Sequence, residues 1–559
     1  MFIQSGRYIH HSSIRFWNLS VMGLAIVLSG CGGGREREQD GGIDASADTS
    51  AKEGDGASDA DADMDADADT DADADGDADA DADADADSDF DGSGDYQWHT
   101  FFGSVDDERT DDIALDSAGN VYLSGLSNVS WKGPAGEQPL HAHSGGNDLL
   151  VLKLRSNGAY QWHTFYGAVN SYHFGYDIAL DSSGNVYITG YSGATWNGPG
   201  GEAPLHAHGG GDDLFVLKLS SNGAYQWHTF FGIQDAGPYL GDYGNGIALD
   251  SSGHVYITGV SHATWDGPGG EAPLHGYSGH EDILVLMLDS SGAYQWHTFF
   301  GAGEVDGSVG DCGNSITLDS SGNAYITGHS TAVWDGPNNE IPLHDHSGGE
   351  DLFVLKLDPT GAYQWHTFLG SYGYGVTGYD IALDSAGNVY LTGSCSGSWT
   401  GPNGELPLQN FHGQFPYEEL FVLKLSPAGA YQWHTFYGST GEDEFGYDIA
   451  VDAIGNIYVT GRSDGIWGGP DGEPPIHAYS GGLYNGDIFV LALNSAGKYQ
   501  WHTYFGSSDD EEGDGIALDP SGDLAIVGNG FATWSGPNGE APIHAYSGKQ
   551  DLFVLKLNH

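Results

Sequence analysis

Ile178-Ala-Leu-Asp-Ser-Ser-Gly-Asn-Val-Tyr-Ile-Thr-Gly190 is followed by Trp196-Asn-Gly-Pro-Gly-Gly-Glu-Ala-Pro-Leu-His206, then Asp213-Leu-Phe-Val-Leu-Lys-Leu219, then Tyr225-Gln-Trp-His-Thr229. The same four strings return along the chain. The last carries Trp98, Trp162, Trp227, Trp296, Trp365, Trp433 and Trp501, at a spacing of about 64 to 69 residues. A period of this kind signals one supersecondary unit stacked on copies of itself. Each unit reads as four strands. Ile-Ala-Leu is short and apolar (strand a). Asn-Val-Tyr-Ile-Thr-Gly alternates and is β-branched (b). Leu-Phe-Val-Leu-Lys-Leu is the nearly continuous apolar run of a strand buried on both faces (c). Tyr-Gln-Trp-His-Thr is aromatic (d). Asp-Ser-Ser-Gly-Asn joins a to b and a similar string joins c to d, both as tight hairpins. The b–c and d–a connections are long. No helical period follows the N-terminal apolar run.

Four antiparallel strands repeated seven times without helix specify an all-β, seven-bladed β-propeller over residues 96–559. The chain enters the array on a lone strand d at Tyr96 and leaves on a lone a-b-c set ending at Leu557. The N-terminal strand is therefore expected to complete the last blade and close the ring, since an open array would leave strand edges unpaired.

Residues 1–30 read as a signal peptide. Arg7 and Arg15 precede a short apolar run, and Leu28-Ser-Gly-Cys31 has the form of a bacterial lipobox, which makes Cys31 the expected lipid acceptor. Residues 31–95 alternate Asp with Ala over much of their length. They hold too little apolar surface to offset ordering entropy, so an acidic tether is expected, with a neutral-coil span of roughly 45 Å before self-repulsion stretches it. Asp87-Ser-Asp-Phe-Asp91-Gly92 matches the opening of an EF-hand loop, but Trp98 stands where the closing Glu belongs. The net charge of −63 argues against nucleic acid and anionic lipid as direct partners of the folded part. Membrane contact is expected only through the lipid, at the bacterial outer membrane, on a monomer. Cys312 and Cys395 are the remaining cysteines. Both are placed toward the long loops of adjacent blades, which leaves a disulfide between them open.

The string Asp181-Ser-Ser-Gly-Asn185-Val-Tyr187-Ile-Thr-Gly190 resembles the D-x-x-G-N-x-Y-x-T-G signature of the bacterial SBBP β-propeller repeat family. It recurs in the units at Ile113, Ile178, Ile247, Ile381 and Ile449, weakens at Ile316 and weakens most at Ile516. The resemblance implies a propeller over residues 96–559 and says little of function, because fold is not function.

Function is expected on the long-loop face, around the mouth of the central channel. The candidate ligand-binding residues there are the b–c loop pairs Trp131 and Glu137, Trp196 and Glu202, Trp265 and Glu271, Trp334 and Glu340, Trp399 and Glu405, Trp467 and Glu473, and Trp534 and Glu540, with His412. Aromatic faces stack on sugars or cations, and carboxylates accept hydroxyls or bind cations. The same residues have a packing reading, in which Trp pins its loop to the neighbouring blade and Glu accepts loop amides. The d–a loops add acids and tyrosines such as Asp235, Tyr239, Asp242, Tyr243 and Glu444. His-x-His pairs at His141/His143, His206/His208 and His344/His346 are spaced to share a metal, but no third ligand is evident. The loop Gln409-Asn-Phe-His-Gly-Gln-Phe-Pro-Tyr417 breaks the pattern and marks its blade as the special one. No GxSxG, HExxH, P-loop or CxxC string occurs, and no cofactor is called for. The expected function is a binding or interaction module whose partner is a glycan, a protein or a divalent cation, and not an enzyme. The alternatives are a polysaccharide hydrolase or lyase, and a purely structural surface protein.

Overall fold

The computed structural model describes residues 94–234, 240–303, 310–482 and 485–559. The signal peptide, Cys31, most of the acidic tether, the EF-hand-like opening, and Asp235 and Tyr239 lie outside the described residues. Strands β1 (Tyr96–Phe102), β2 (Glu108–Leu115), β3 (Val121–Ser127), β4 (Asp148–Leu154) and β5 (Tyr160–Tyr166) open a series that runs in the same manner to β26 (Glu511–Leu518), β27 (Leu524–Gly530) and β28 (Asp551–Leu557). They form seven four-stranded antiparallel sheets. Blade 1 is β2–β5. Blades 2 to 6 occupy residues 173–231, 242–300, 312–369, 376–437 and 444–505. Blade 7 is ordered β1-β28-β27-β26, so the N-terminal strand completes the blade that the C-terminal strands begin. Strand a lies innermost, each strand a touches the next around the ring, and β26 touches β2.

Each residue of the repeated signature has a physical role. In blade 2, Asp181 Oδ1 accepts the amides of Ser183 and Asn185 at 2.9 Å each, and Oδ2 accepts Asn185 Nδ2 at 2.7 Å. Gly184 supplies the left-handed φ of +75° that closes the hairpin. Tyr187 is fully buried against Leu214, Val216 and, in blade 3, Ile247, Val255 and Trp265. Thr189 donates its hydroxyl to the Phe215 carbonyl at 3.0 Å. Gly190 is set by close approach: a Cβ there would stand 1.8 Å from the Phe174 carbonyl oxygen. That carbonyl is pushed inward by a bulge in strand a between Gly175 and Asp177. Strand a is longer than the apolar Ile-Ala-Leu string, running from His173 to Leu180 in blade 2.

The core lies between blades, and polar links hold the inner strands together. Asp112 accepts the amide of Ile178 at 3.2 Å, Asp177 that of Ile247 at 2.7 Å, Asp380 that of Ile449 at 3.1 Å and Asp448 that of Ile516 at 2.6 Å. Where blades 3 and 4 lack the aspartate, Asn245 and Asn314 donate to the Gly313 and Gly378 carbonyls instead, at 3.0 and 2.9 Å. Asn529 exchanges two hydrogen bonds with the Thr110 backbone, at 3.0 and 3.1 Å, across the seam where blade 7 meets blade 1. Every junction thus has a backbone-directed side-chain link, which an open array would lack at its seam.

Candidate functional site

The b–c connections do not rise around the channel mouth. Each folds back over the outer strand of its own blade as a strap. In blade 1 the Leu140 amide donates to the His163 carbonyl at 2.9 Å and the Phe165 amide to the His141 carbonyl at 3.3 Å, so the strap pairs with the exposed edge of β5. Covering the outer edge removes the template on which a second chain could add a strand. Further along, Leu205 of the blade 2 strap lies close to Gly292, in the c–d turn of blade 3.

This course decides the candidate tryptophans. Trp131, Trp196, Trp265, Trp334, Trp399, Trp467 and Trp534 are only 3–7% exposed. Each lies stacked on the histidine of the Tyr-Gln-Trp-His-Thr string in its own blade, with ring centroids 3.8–4.0 Å apart. The preceding blade closes on several of them, as with Tyr166 against Trp196 at 5.6 Å. The histidine accepts the Tyr hydroxyl at Nδ1, at 2.7 Å from Tyr160 to His163, and donates Nε2–H to the strap tryptophan's carbonyl, at 3.2 Å from His163 to Trp131. A carbonyl only accepts, so Nε2 carries a proton. Burial pushes all seven of these histidines down to about 4, against a smaller opposing effect from the carbonyl.

The strap glutamates close the Gly-Pro-x-Gly-Glu turn. Glu202 accepts the Gly200 amide at 2.8 Å, and Glu137, Glu271 and Glu473 accept the equivalent amides at 2.8–2.9 Å. Glu340, Glu405 and Glu540 add an Asn side chain to the same amide, and these bonds hold their carboxyls below the usual range. The Trp and Glu of one strap are thus placed on the circumference, with the Trp facing inward and the Glu at a turn against the start of strand d.

The His-x-His pairs are divided between two backbone acceptors. His206 Nδ1 meets the Phe230 carbonyl at 2.7 Å and His208 Nε2 the Ser192 carbonyl at 2.9 Å. Tyr277, Tyr479 and Tyr546 stand at the second position elsewhere and donate to the matching region of backbone, at 2.7–2.9 Å. That shared role explains the exchange of His for Tyr. Among the described residues no three His, Cys, Asp or Glu side chains gather as a metal set. Cys312 and Cys395 are free, buried thiols.

The loop that breaks the pattern behaves differently. In blade 5 Phe415 is 68% exposed and Tyr417 38%, and the facing d–a loop presents Tyr372 at 81% and Tyr374 at 40%. Tyr374 and Phe415 meet edge to face at 6.2 Å. Asn410, His412 and Gln414 of the same loop are exposed, and the His412 amide donates to buried Glu419 at 2.7 Å, which fixes the loop's base. The sequence singled out this loop, but not Tyr372 and Tyr374. Their signal was the Tyr-Gly-Tyr string in a d–a loop, on which the residues of blade 5 converge only in three dimensions.

The central channel holds a polar cavity of about 340 Å³, lined by Asp112, Asp177, Asp380, Asp448, Tyr379 and Tyr447 among others. These four aspartates accept the next blade's amides. Burial, then the neighbouring Asp380 carboxylate, pushes the Asp448 carboxyl well above its usual range.

The profile described as SBBP, a beta-propeller repeat, matches residues 161–195, 226–264, 295–333, 364–398 and 432–466. Each match begins in strand d of one blade and ends beyond strand b of the next. An uncharacterized WD repeat-containing protein, L264, of Acanthamoeba polyphaga mimivirus is 28% identical over 266 residues, which are 41% of this chain and 19% of that protein. The chain therefore spans about a fifth of that relative. Among solved structures, a protein of unknown function from Bacteroides caccae aligns at 10% identity and TM-score 0.33, over 69% of this chain and 93% of its own. A PL25 ulvan lyase aligns at 10% identity and TM-score 0.38, over 78% and 93%. Identities and scores this low carry no functional argument. Five matched repeats within a closed seven-bladed ring identify the chain as a β-propeller built of SBBP repeats.

Proposed function

We propose that the chain is a display and binding module that takes a glycan on the long-loop face of blade 5. The observation that carries this reading is the contrast between aromatics. The seven strap tryptophans are buried, whereas Tyr372, Tyr374, Phe415 and Tyr417 of two facing loops are exposed, with Tyr374 and Phe415 in contact. Apolar ring faces beside exposed Asn410, His412 and Gln414 offer a sugar both a stacking surface and hydroxyl partners. A ring that stacks on a ligand contributes about 1 kcal/mol, roughly fivefold to tenfold in affinity. Binding of the purified chain to an oligosaccharide panel tests this. Phe415→Ala with Tyr372→Ala is expected to weaken the best ligand about thirtyfold at an unchanged melting temperature. Replacing Ser182 and Ser251, on the opposite face, leaves affinity unaltered. Sugar binding indifferent to the aromatic variants, or capture of a protein in place of any sugar, would count against the reading.

The anchoring half of the proposal rests on the sequence alone. Cys31 carries lipid at the outer membrane, and the Asp/Ala segment stands between it and the first repeat in the sequence. Cys31→Ser should abolish incorporation of labelled fatty acid. Undiminished labelling would rule out Cys31 as the anchor.

A further inference from the structure

Strand c of every blade opens on a fully buried acid that faces the start of strand a in the next blade. At five of the seven junctions the facing residue is also a buried acid. Asp551 meets Glu108, and a Cβ placed on Gly103 between them would stand 2.6 Å from Asp551 Oδ1 and 2.7 Å from Glu108 Oε2. Asp213 and Asp242 converge in the same way on Gly232, at 2.8 Å each, and Asp487 and Glu511 on Gly506, at 2.6 and 2.9 Å. Asp282 Oδ1 and Asp311 Oδ2 converge likewise on Gly301, at 2.6 and 2.9 Å, and at Gly438 Glu444 Oε2 meets the side-chain carbons of Glu419.

A second observation is independent of the clustering. Asp213 Oδ1, Asp487 Oδ1, Asp551 Oδ1 and Glu419 Oε2 are buried without a hydrogen-bond partner. The three aspartate oxygens are those that converge on the glycine. Their sister oxygens are satisfied by the amides of Gly209, Ser480 and Ser547 at 2.5–2.6 Å. At the two junctions where the facing residue is not an acid, the oxygen is satisfied. Asp148, opposite His173, accepts Ser144 Oγ at 2.6 Å, and Asp351, opposite Val376, accepts Ser347 Oγ at 2.5 Å. With the exception of Asp282, which Ser278 serves, the unpartnered oxygen goes with the acid pair.

Two buried carboxyls directed at one point stay ionised together only with a positive charge between them; without it one of the pair keeps its proton. Among the described residues no Lys or Arg is ion-paired with these acids. His208, 3.8 Å from Asp213, accepts the Gly210 amide at the same Nδ1 and so carries no proton there. The facing groups are hard carboxylate oxygens, and serine hydroxyls at the end of strand b hold Glu108, Asp242, Asp311 and Glu444 in place by donating to the other oxygen of each. We infer that these five junctions are divalent-cation sites of the calcium class, each clamping strand c of one blade to strand a of the next. This inference is independent of the glycan reading, since the clamps lie between blades and not on the aromatic face.

The full-length chain tests it with terbium, whose luminescence is sensitised by nearby tryptophan. Trp265 Nε1 donates to Asp242 at 3.0 Å, and residues 31–95 contain no tryptophan, so the acidic tether stays silent. Calcium should displace terbium and raise the unfolding midpoint over that in EDTA by roughly 10 °C once calcium is in hundredfold excess over its dissociation constant. D213N should lower the sensitised signal by about a fifth, one site in five. V376E, which restores an acid opposite Asp351, should raise it by a similar share. The gain from V376E keeps the test decisive if D213N folds poorly. The same midpoint in calcium and EDTA, or a midpoint that follows pH alone because protons occupy the pairs, would overturn the inference.

Discussion

Deleting Tyr96–Phe102 is expected to open the ring and make the chain aggregate. Strand β1 pairs with β28 from Tyr96 opposite Leu557 to Phe102 opposite Leu552. Its loss strips a full strand of backbone partners from β28 and removes Phe101 and Phe102, which are 1% and 4% exposed. It also frees the blade 7 strap. The Ile543 amide loses the His99 carbonyl at 2.9 Å, and Trp534 loses its stack on His99 at 3.9 Å. Two buried phenylalanines alone contribute about 3 kcal/mol each, so the whole change costs on the order of 5–10 kcal/mol. The uncovered apolar β28 is then a docking edge for another copy. Thermal unfolding and size-exclusion chromatography of the deletion measure both effects. An unchanged midpoint with a monomeric profile would show that the termini do not close the ring.

The second large effect is acid lability. The seven strap-facing histidines sit neutral in the fold at about 4, against an ordinary value near 6.5. A depressed folded value means that the unfolded chain takes up the proton first. The stability gained by keeping them neutral is complete above about pH 6.5 and is lost as pH falls through about 4. The difference is worth about 3 kcal/mol per histidine, in seven copies, so unfolding should be steep within that window. Buried carboxyls such as Glu108 and Glu511, raised by burial to about 7 and about 8, work in the opposite sense. Without a bound cation their contribution is complete at low pH and lost as pH rises, so the upper part of the acid limb, between about pH 6.5 and 4, belongs to the histidines, and the turn carboxylates held below their usual range, such as Asp181, add to it at lower pH. Tryptophan fluorescence against pH should report a cooperative transition between about pH 6 and pH 4, because the strap tryptophans leave their stacks. A chain that keeps its native signal to about pH 2 would contradict the assigned protonation state.

The fold was legible because each residue of the D-x-x-G-N-x-Y-x-T-G string acts locally. Asp181 and Asn185 tie the turn, Gly184 bends it, and Gly190 admits a carbonyl. Ring closure followed from the order of strings alone. The course of the straps did not. Hydropathy and turn signals around Trp196 show that a loop is long, not which way it folds, so the Trp/Glu pairs were expected at the channel mouth and stand on the circumference. A signal for this was present in the seven tryptophans of the b–c loops, matched one for one by the seven histidines of strand d. The buried acid pairs were hidden for a different reason. Asp551 and Glu108 lie at opposite ends of the chain and meet only because the ring closes. The aromatic group of blade 5 was half visible, through Phe415 and Tyr417 in an irregular loop.

Hydrogen exchange of the full chain, with and without the best oligosaccharide from the panel, tests the binding surface most directly. Protection confined to residues 371–375 and 409–418 is the predicted result. Protection at the tight turns, along the straps or nowhere would contradict the assignment of that surface.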